Sequence, residues 1–360
     1  MQSTLTLFLA FCPLLASVSV AETPPEPDPP FEPQFDPLFE SHEPLEITIS
    51  GPFTTLMRER PDEEELDGTA SWTEVDGTEV EVSVQLRTRG NYRRDESTCP
   101  FAPLRLDFRG SEVEGTLFDK QDKLKLVTHC RERSVQYEQL LIREYVTYRL
   151  LNVLTDISYR VRLLRVTYQD IESNRADRLT WAFVIEHKDR FDNRTGLDPL
   201  DVERTSLSAL DPEFTNLTSI FQYMIGNTDF SPISAPEGAS CCHNTHPFAV
   251  EGGPVHSVPY DFDMSGIINA PYAAPNPRFG LRDVRQRLYR GRCRFNDHLP
   301  ATIEHFQNSR EALYAVVAEA TALSPRNRRS MERYLDSFFK TLDDERAVER
   351  RLTGACIGPR

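Results

Sequence analysis

The 360-residue chain is short of positive charge: 41 Lys and Arg stand against 56 Asp and Glu, for a net charge of −15. Phosphate backbones repel such a surface, so a nucleic-acid partner is not expected. Long apolar runs are scarce too, and after Val20 no segment is apolar enough to cross a bilayer. Zinc spacings are missing: Cys241, Cys242, His243 and His246 crowd one stretch, but no C-x₂-C pair and no His-x-Glu helix accompanies them. A Gly-x-Ser-x-Gly elbow is also lacking beside His129, His187, His243, His246 and His256, which argues against Ser/His/Asp catalysis. No internal repeat occurs.

What is present begins with an apolar run, Leu5 to Val20, followed by the small-residue site Ser19-Val20-Ala21. This pattern predicts a secretory signal peptide over 1–21, cut after Ala21, with a membrane anchor as the weaker reading because Pro13 interrupts a short run. Residues 22–44 are acidic and Pro-rich, which predicts an extended, solvated linker. Removing the leader leaves six cysteines: Cys99, Cys130, Cys241, Cys242, Cys293 and Cys356. An even count in an exported chain favours disulfides, and a secreted or periplasmic location follows. Adjacent Cys241 and Cys242 are expected to bond to different partners. Asn193-Arg-Thr and Asn216-Leu-Thr match glycosylation sequons.

From Leu45 the pattern is β-rich. Leu45 to Ser50, Glu79 to Arg87, Leu104 to Phe108 and Lys123 to Val127 alternate as strands, and Asp76-Gly77 marks a hairpin turn. Gln136 to Leu154 carries apolar residues at helical spacing, and Tyr159 to Tyr168 and Leu179 to Glu186 read as further strands. Beyond Asp198 the chain turns helical: one helix includes Leu217 to Ile225, a long one runs Leu299 to Leu323, and Pro325 opens another through Leu342. The expected division is 45–195 as a β-rich lobe and 196–356 as a helical lobe.

Phe221 to Ala273 is the organising stretch. Asp229 follows one apolar segment, and the pair Asp261 and Asp263 follows another, with Asn227 and Asn244 near by. An isolated Asp-x-Asp is usually a turn or a cap. The order of the parts points further: metal-assisted phosphoryl transfer needs one carboxylate at the attacking hydroxyl and others to hold Mg²⁺ against nucleotide phosphates.

In order along the chain, RTRGNY (Arg87 to Tyr92), KLKLVTHC (Lys123 to Cys130), AFVIEHKDRF, IGNTDFS and VPYDFD resemble the motifs of the CotH kinase family, atypical protein-kinase-like enzymes. The resemblance covers roughly Leu45 to Ala273. It implies an α+β, two-lobed protein-kinase-like fold with an antiparallel β-rich N-lobe and a mainly helical C-lobe. It also implies transfer of the ATP γ-phosphoryl to a Ser or Thr hydroxyl of an extracytoplasmic protein, with Mg²⁺ or Mn²⁺. Asp229 would orient or deprotonate the acceptor hydroxyl; Asp261, with Asp263, would hold the metal; Asn244, or else Asn227 or His243, would serve a second metal. Lys125, or Lys123 on the same strand face, would neutralise phosphate charge, and Glu144 would orient that lysine by an ion pair. Arg87, Arg89 and Asn91 would contact phosphates around Gly90. The chain departs from ordinary protein kinases in lacking Gly-x-Gly-x-x-Gly and His-Arg-Asp, and in reading Asp-Phe-Asp for Asp-Phe-Gly. A catalytically silent module that binds a surface protein or glycan is the alternative, and a metal-dependent phosphoesterase a third reading.

Overall fold

The computed structural model describes residues 32–358. The predicted signal peptide and residues 22–31 of the predicted linker lie outside them. From Pro33 onward the described residues form one compact unit. In chain order its elements are α1 (Pro37–Glu40), β1 (Leu45–Gly51), α2 (Phe53–Glu59), β2 (Leu66–Thr73), β3 (Glu79–Thr88), β4 (Leu104–Phe108), α3 (Gly110–Val113), β5 (Lys123–Val127), α4 (Val135–Leu154), β6 (Val161–Asp170) and β7 (Arg178–Ile185). There follow α5 (Lys188–Thr195), β8 (Asp198–Pro199), α6 (Pro212–Ile225), β9 (Thr245–Ala249), β10 (His256–Pro259), α7 (Leu299–Asn308), α8 (Arg310–Glu319), α9 (Pro325–Leu342) and α10 (Glu345–Arg351).

The alternation in β1 and β3 buries every second residue, as a period-two strand must. Gly77, at φ 89°, makes the β2–β3 turn, and the Asp76 carboxylate accepts from the Thr78 amide at 2.9 Å. The expected architecture is overturned at the next level. Seven strands close into a barrel of order β1-β2-β3-β4-β5-β7-β6. The chain therefore does not adopt a two-lobed kinase-like fold with an open antiparallel N-terminal sheet. Closure comes from β1, which pairs antiparallel with β2 and parallel with β6, Leu45 against Leu164 through Gly51 against Asp170. That pairing leaves no free sheet edge, which removes the exposed row of amides and carbonyls that an open sheet must manage. Gly68 stands at a tight place in this wall: a Cβ there would lie 2.6 Å from the Ser50 carbonyl oxygen.

The barrel interior is filled by side chains such as Ile49, Trp72, Leu86, Leu106, Phe118 and Leu126. A second core joins the outer face of β5, β6 and β7 to α4 and the C-terminal helices, and includes Phe183, Phe221, Phe262 and Phe338. The helix α4 is buried on nearly all sides, as a helix shared by two packed parts must be. Its N-terminus is capped by Ser134, whose side chain accepts from the Tyr137 amide. Part of the predicted spacer is docked instead of solvated: Leu38 is fully buried, and Asp36 accepts from Arg190 at 2.6 Å and from Gln121 at 2.8 Å. The single helix expected over Leu299 to Leu323 is two, α7 and α8, interrupted at Ser309.

Three disulfides are present: Cys99–Cys130, Cys293–Cys356, and the neighbours Cys241–Cys242. The expectation of separate partners for the adjacent pair is thus corrected; the other four cysteines pair among themselves. Disulfides fit an oxidising compartment, and no helix of the described residues is long and apolar enough to cross a membrane. Of the two sequons, Asn216 lies inside α6, is 1% exposed, and donates from Nδ2 to the Phe295 carbonyl at 3.0 Å. Peptide mass spectrometry of protein made in a glycosylating host is expected to find Asn216 unmodified.

Candidate active site

Asp229 is positioned by the end of α6. Asp211 and Pro212 start that helix, with Asp211 Oδ1 accepting from the Phe214 amide at 2.8 Å. Gly226, at φ 67°, ends it in the left-handed region and packs where Tyr334 leaves no room for a Cβ. The next turn is fixed by buried Asn227, whose Oδ1 accepts from the Asp229 amide at 2.9 Å.

The segment after Asp229 loops out and returns. His243 is pinned by its backbone, its amide donating to the Ser234 carbonyl at 3.0 Å and its carbonyl accepting from the Ser231 amide at 2.9 Å. This return brings His243 Nε2 to 2.7 Å from Asp229 Oδ1, and Asn244 Nδ2 to 3.0 Å from Asp229 Oδ2. The long sequence gap between Asp229 and Asn244 is therefore closed in space. Hydrogen bonding to Asp229 raises the His243 pKa above its ordinary value, against partial burial. The Asn244 amide nitrogen is committed to Asp229, which leaves only its oxygen for another ligand.

The Asp261 and Asp263 turn follows β10. Between the two carboxylates Phe262 is fully buried, with ring centroids 4.6 Å from Tyr148 and 5.5 Å from Phe221. This anchor fixes both acids. Asp261 sits at φ 60°, and its amide donates to the Tyr148 hydroxyl at 2.8 Å. Asp263 is buried and accepts from the Tyr272 hydroxyl at 3.1 Å.

Arg93, absent from the expected site, is the hub of this wall. It lies 3.0 Å from Glu144, 3.3 Å from Asp263 and 3.7 Å from Asp261. Glu144, projecting from α4 and 2% exposed, thus pairs with Arg93; no ion pair joins it to Lys125 among the described residues. Three carboxylates around one guanidinium leave an excess of negative charge. Burial, together with neighbouring Asp261 and Glu144, holds Asp263 well above the usual carboxylate range in spite of Arg93. The signal for Arg93 was its place in RTRGNYRR together with an acid, Glu144, on the Leu140, Leu141, Tyr148 and Leu151 stripe of α4, since a buried acid requires a cation.

Opposite stands a cationic wall. Arg89, just beyond β3, and Lys125, on β5, have no carboxylate partner among the described residues; Lys125 Nζ lies 5.0 Å over the Tyr260 ring. Burial and the adjacent Arg89 push the Lys125 pKa down to about 7. Burial and Arg93 lower that of Arg89. Lys123 is turned to Asp107, 3.8 Å away. Arg87 is not among the cleft residues: it pairs with Glu65 at 3.4 Å and donates to the Asp62 carbonyl.

The two walls bound one cleft of about 380 Å³, with Arg89, Asn91 and Lys125 on the barrel side and Asp229, Asn244, Asp261 and Asp263 on the other. Among the described residues no group of three or more His, Cys, Asp or Glu is gathered to cage a metal. Mg²⁺ binds through one or two carboxylates and completes its shell with phosphate oxygens and water, and Asp261 is the acid here that is partly open to such an ion, whereas Asp263 is engaged by Arg93 and Tyr272. Asp261 Oδ1 accepts no hydrogen bond; its nearest cation is the Arg93 guanidinium at 3.7 Å. No family model matches this chain, and no curated protein matches it.

Proposed function

We propose that this cleft transfers the γ-phosphoryl group of ATP to a hydroxyl, on a Ser or Thr of an extracytoplasmic protein. The observation that carries the reading is the pairing of two unpartnered cations, Arg89 and Lys125, with Asp229, Asp261 and Asp263 across a single cleft. Phosphoryl transfer is largely positioning and charge stabilisation, so cations for phosphate oxygens and separate carboxylates for metal and nucleophile are the parts it needs. The motif resemblance to CotH kinases supports the same chemistry on the barrel scaffold.

In this reading Lys125 and Arg89 bind phosphate oxygens, and Asn91 and the backbone at Gly90, at φ 85°, approach them closely. Asp261 and Asp263 would hold Mg²⁺ or Mn²⁺, whose charge offsets that of the triphosphate. Asp229, fixed by Asn244 and His243, accepts the acceptor hydroxyl's proton. His243, hydrogen-bonded to Asp229, keeps that carboxylate oriented. Arg93 holds Glu144 and the metal-side acids in place.

Lys125 supplies the test of nucleotide binding. A lysine held near pKa 7 is half deprotonated at neutral pH, and an arriving triphosphate restores the ammonium. ATP binding is therefore expected to take up protons near pH 7. Calorimetry in two buffers of different ionisation enthalpy reads the uptake directly. Lys125→Met should abolish the uptake and weaken ATP roughly tenfold or more. Metal-independent failure of any nucleotide to bind would favour a silent module that binds a surface protein or glycan.

A further inference from the structure

A second polar groove, of about 670 Å³, lies where the first turn of α9 packs on α4. Gln139 of α4 joins the two, its Oε1 accepting from the Ser324 amide at 2.7 Å and from Asn327 Nδ2 at 3.1 Å. The groove is lined by Arg143, Arg326 and Arg333 and by no carboxylate.

Arg143 is 6% exposed. Its Nη2 donates to the Ile267 carbonyl at 2.6 Å, and the guanidinium reaches Asn327 Oδ1 and Ser330 Oγ only at 3.5 Å. All these acceptors are neutral, and its Nε has no partner at all. The contrast is with Arg194 and Arg93, which are buried against Glu186 and Glu144. A buried cation without a counter-ion is costly, and burial, with Arg285 near by, pushes the Arg143 pKa down to about 10. Arg326 and Arg333 are exposed and form no ion pair among the described residues. The N-terminus of the 18-residue α9 adds its own positive end to the same groove.

We propose that this groove binds a phosphoryl or sulfuryl oxyanion, held by Arg143, Arg326 and Arg333 at the N-terminus of α9. Guanidinium forks match the paired oxygens of such a group, and the Ser330 hydroxyl supplies a neutral donor beside them. No aromatic ring lines the groove, so the ligand is recognised by its anionic group and not by a nucleobase. The site is separate from the cleft and does not depend on the phosphotransfer reading.

The test is calorimetric titration of the full chain with inorganic phosphate, inorganic sulfate and O-phosphoserine at constant ionic strength. In the Arg89→Gln/Lys125→Gln background, which removes the cleft's own phosphate cations, adding Arg326→Gln/Arg333→Gln, changed only at exposed positions, should weaken phosphate binding roughly tenfold or more. The Arg89→Gln/Lys125→Gln variant should retain this binding. Tighter O-phosphoserine than phosphate upholds the site with an esterified ligand; tighter inorganic anion upholds it with a free one. Unchanged phosphate affinity when Arg326→Gln/Arg333→Gln is added to the Arg89→Gln/Lys125→Gln background, or loss of all binding in that background alone, overturns it.

Discussion

Asp261→Asn should lower phosphotransfer by roughly 10³-fold or more while leaving the fold intact. Asparagine tolerates positive φ, so the φ 60° backbone at this position does not resist the change. The Asp261 amide still donates to Tyr148, and Asp261 Oδ1 loses no hydrogen bond because it makes none. Removing the charge also relieves repulsion on Asp263 and Glu144, both of which Asp261 pushes upward in pKa. That relief is offset by lost attraction to Arg93, Arg89 and Lys125, so thermal stability should change little as activity falls. The same carboxylate is felt by His243, Arg89 and Lys125, so it is the shared electrostatic centre of both walls. Circular dichroism melts beside labelled-ATP assays separate the two effects. Full activity in a folded Asp261→Asn protein would remove the metal-binding role assigned to this residue.

Arg93→Met should destabilise the protein by about 3–5 kcal/mol, the cost of leaving a buried charge unpaired. Methionine keeps much of the side-chain length but leaves Glu144 and Asp263, 3% and 9% exposed, together without their cation. The loss carries a pH signature. Burial, opposed by Arg93 but assisted by neighbouring carboxylates, raises the folded pKa of both Asp263 and Glu144. A carboxyl that holds its proton more tightly when folded contributes stability that is full below the unfolded pKa. That contribution fades as pH rises through the folded value. Without Arg93 the raising influences act unopposed. The deficit relative to wild type should therefore shrink as pH falls toward about 4. Urea unfolding between acid and neutral pH measures it; a pH-independent loss below about 1 kcal/mol would show that Arg93 does not neutralise this cluster.

Local signals in the sequence carried the strands and helices well. Alternation in Glu79 to Thr88, the Asp76-Gly77 turn and the apolar period of α4 are each set by residues near one another in the chain. Barrel closure was not legible, because it rests on β1 meeting β6 in parallel more than a hundred residues later. Hairpin signals and alternation are the same in an open sheet and a closed one. Asp229, Asp261 and Asp263 could be named as a group because each follows an apolar segment, with Asn244 near by in the chain, and all four line one cleft. The roles of Glu144 and Arg93 depended on which cation reaches a buried acid. That choice is made by the turn after Gly90, which carries no regular period. Arg87 was drawn in by its neighbourhood in RTRGNY, yet it pairs with Glu65 instead. The docking of Leu38 and Asp36 was hidden by the prolines around them, which signal extended chain whether or not it is packed.

The most direct measurement is the fate of the γ-phosphoryl group. Full-length protein would be incubated with γ-labelled ATP, Mg²⁺ or Mn²⁺ and a pool of extracytoplasmic proteins, and the label divided between phosphoester and free phosphate. The account predicts label on Ser or Thr hydroxyls, reduced about 10²- to 10⁴-fold by Asp229→Asn. Label released only as free phosphate, or transfer unaffected by Asp229→Asn, would contradict it.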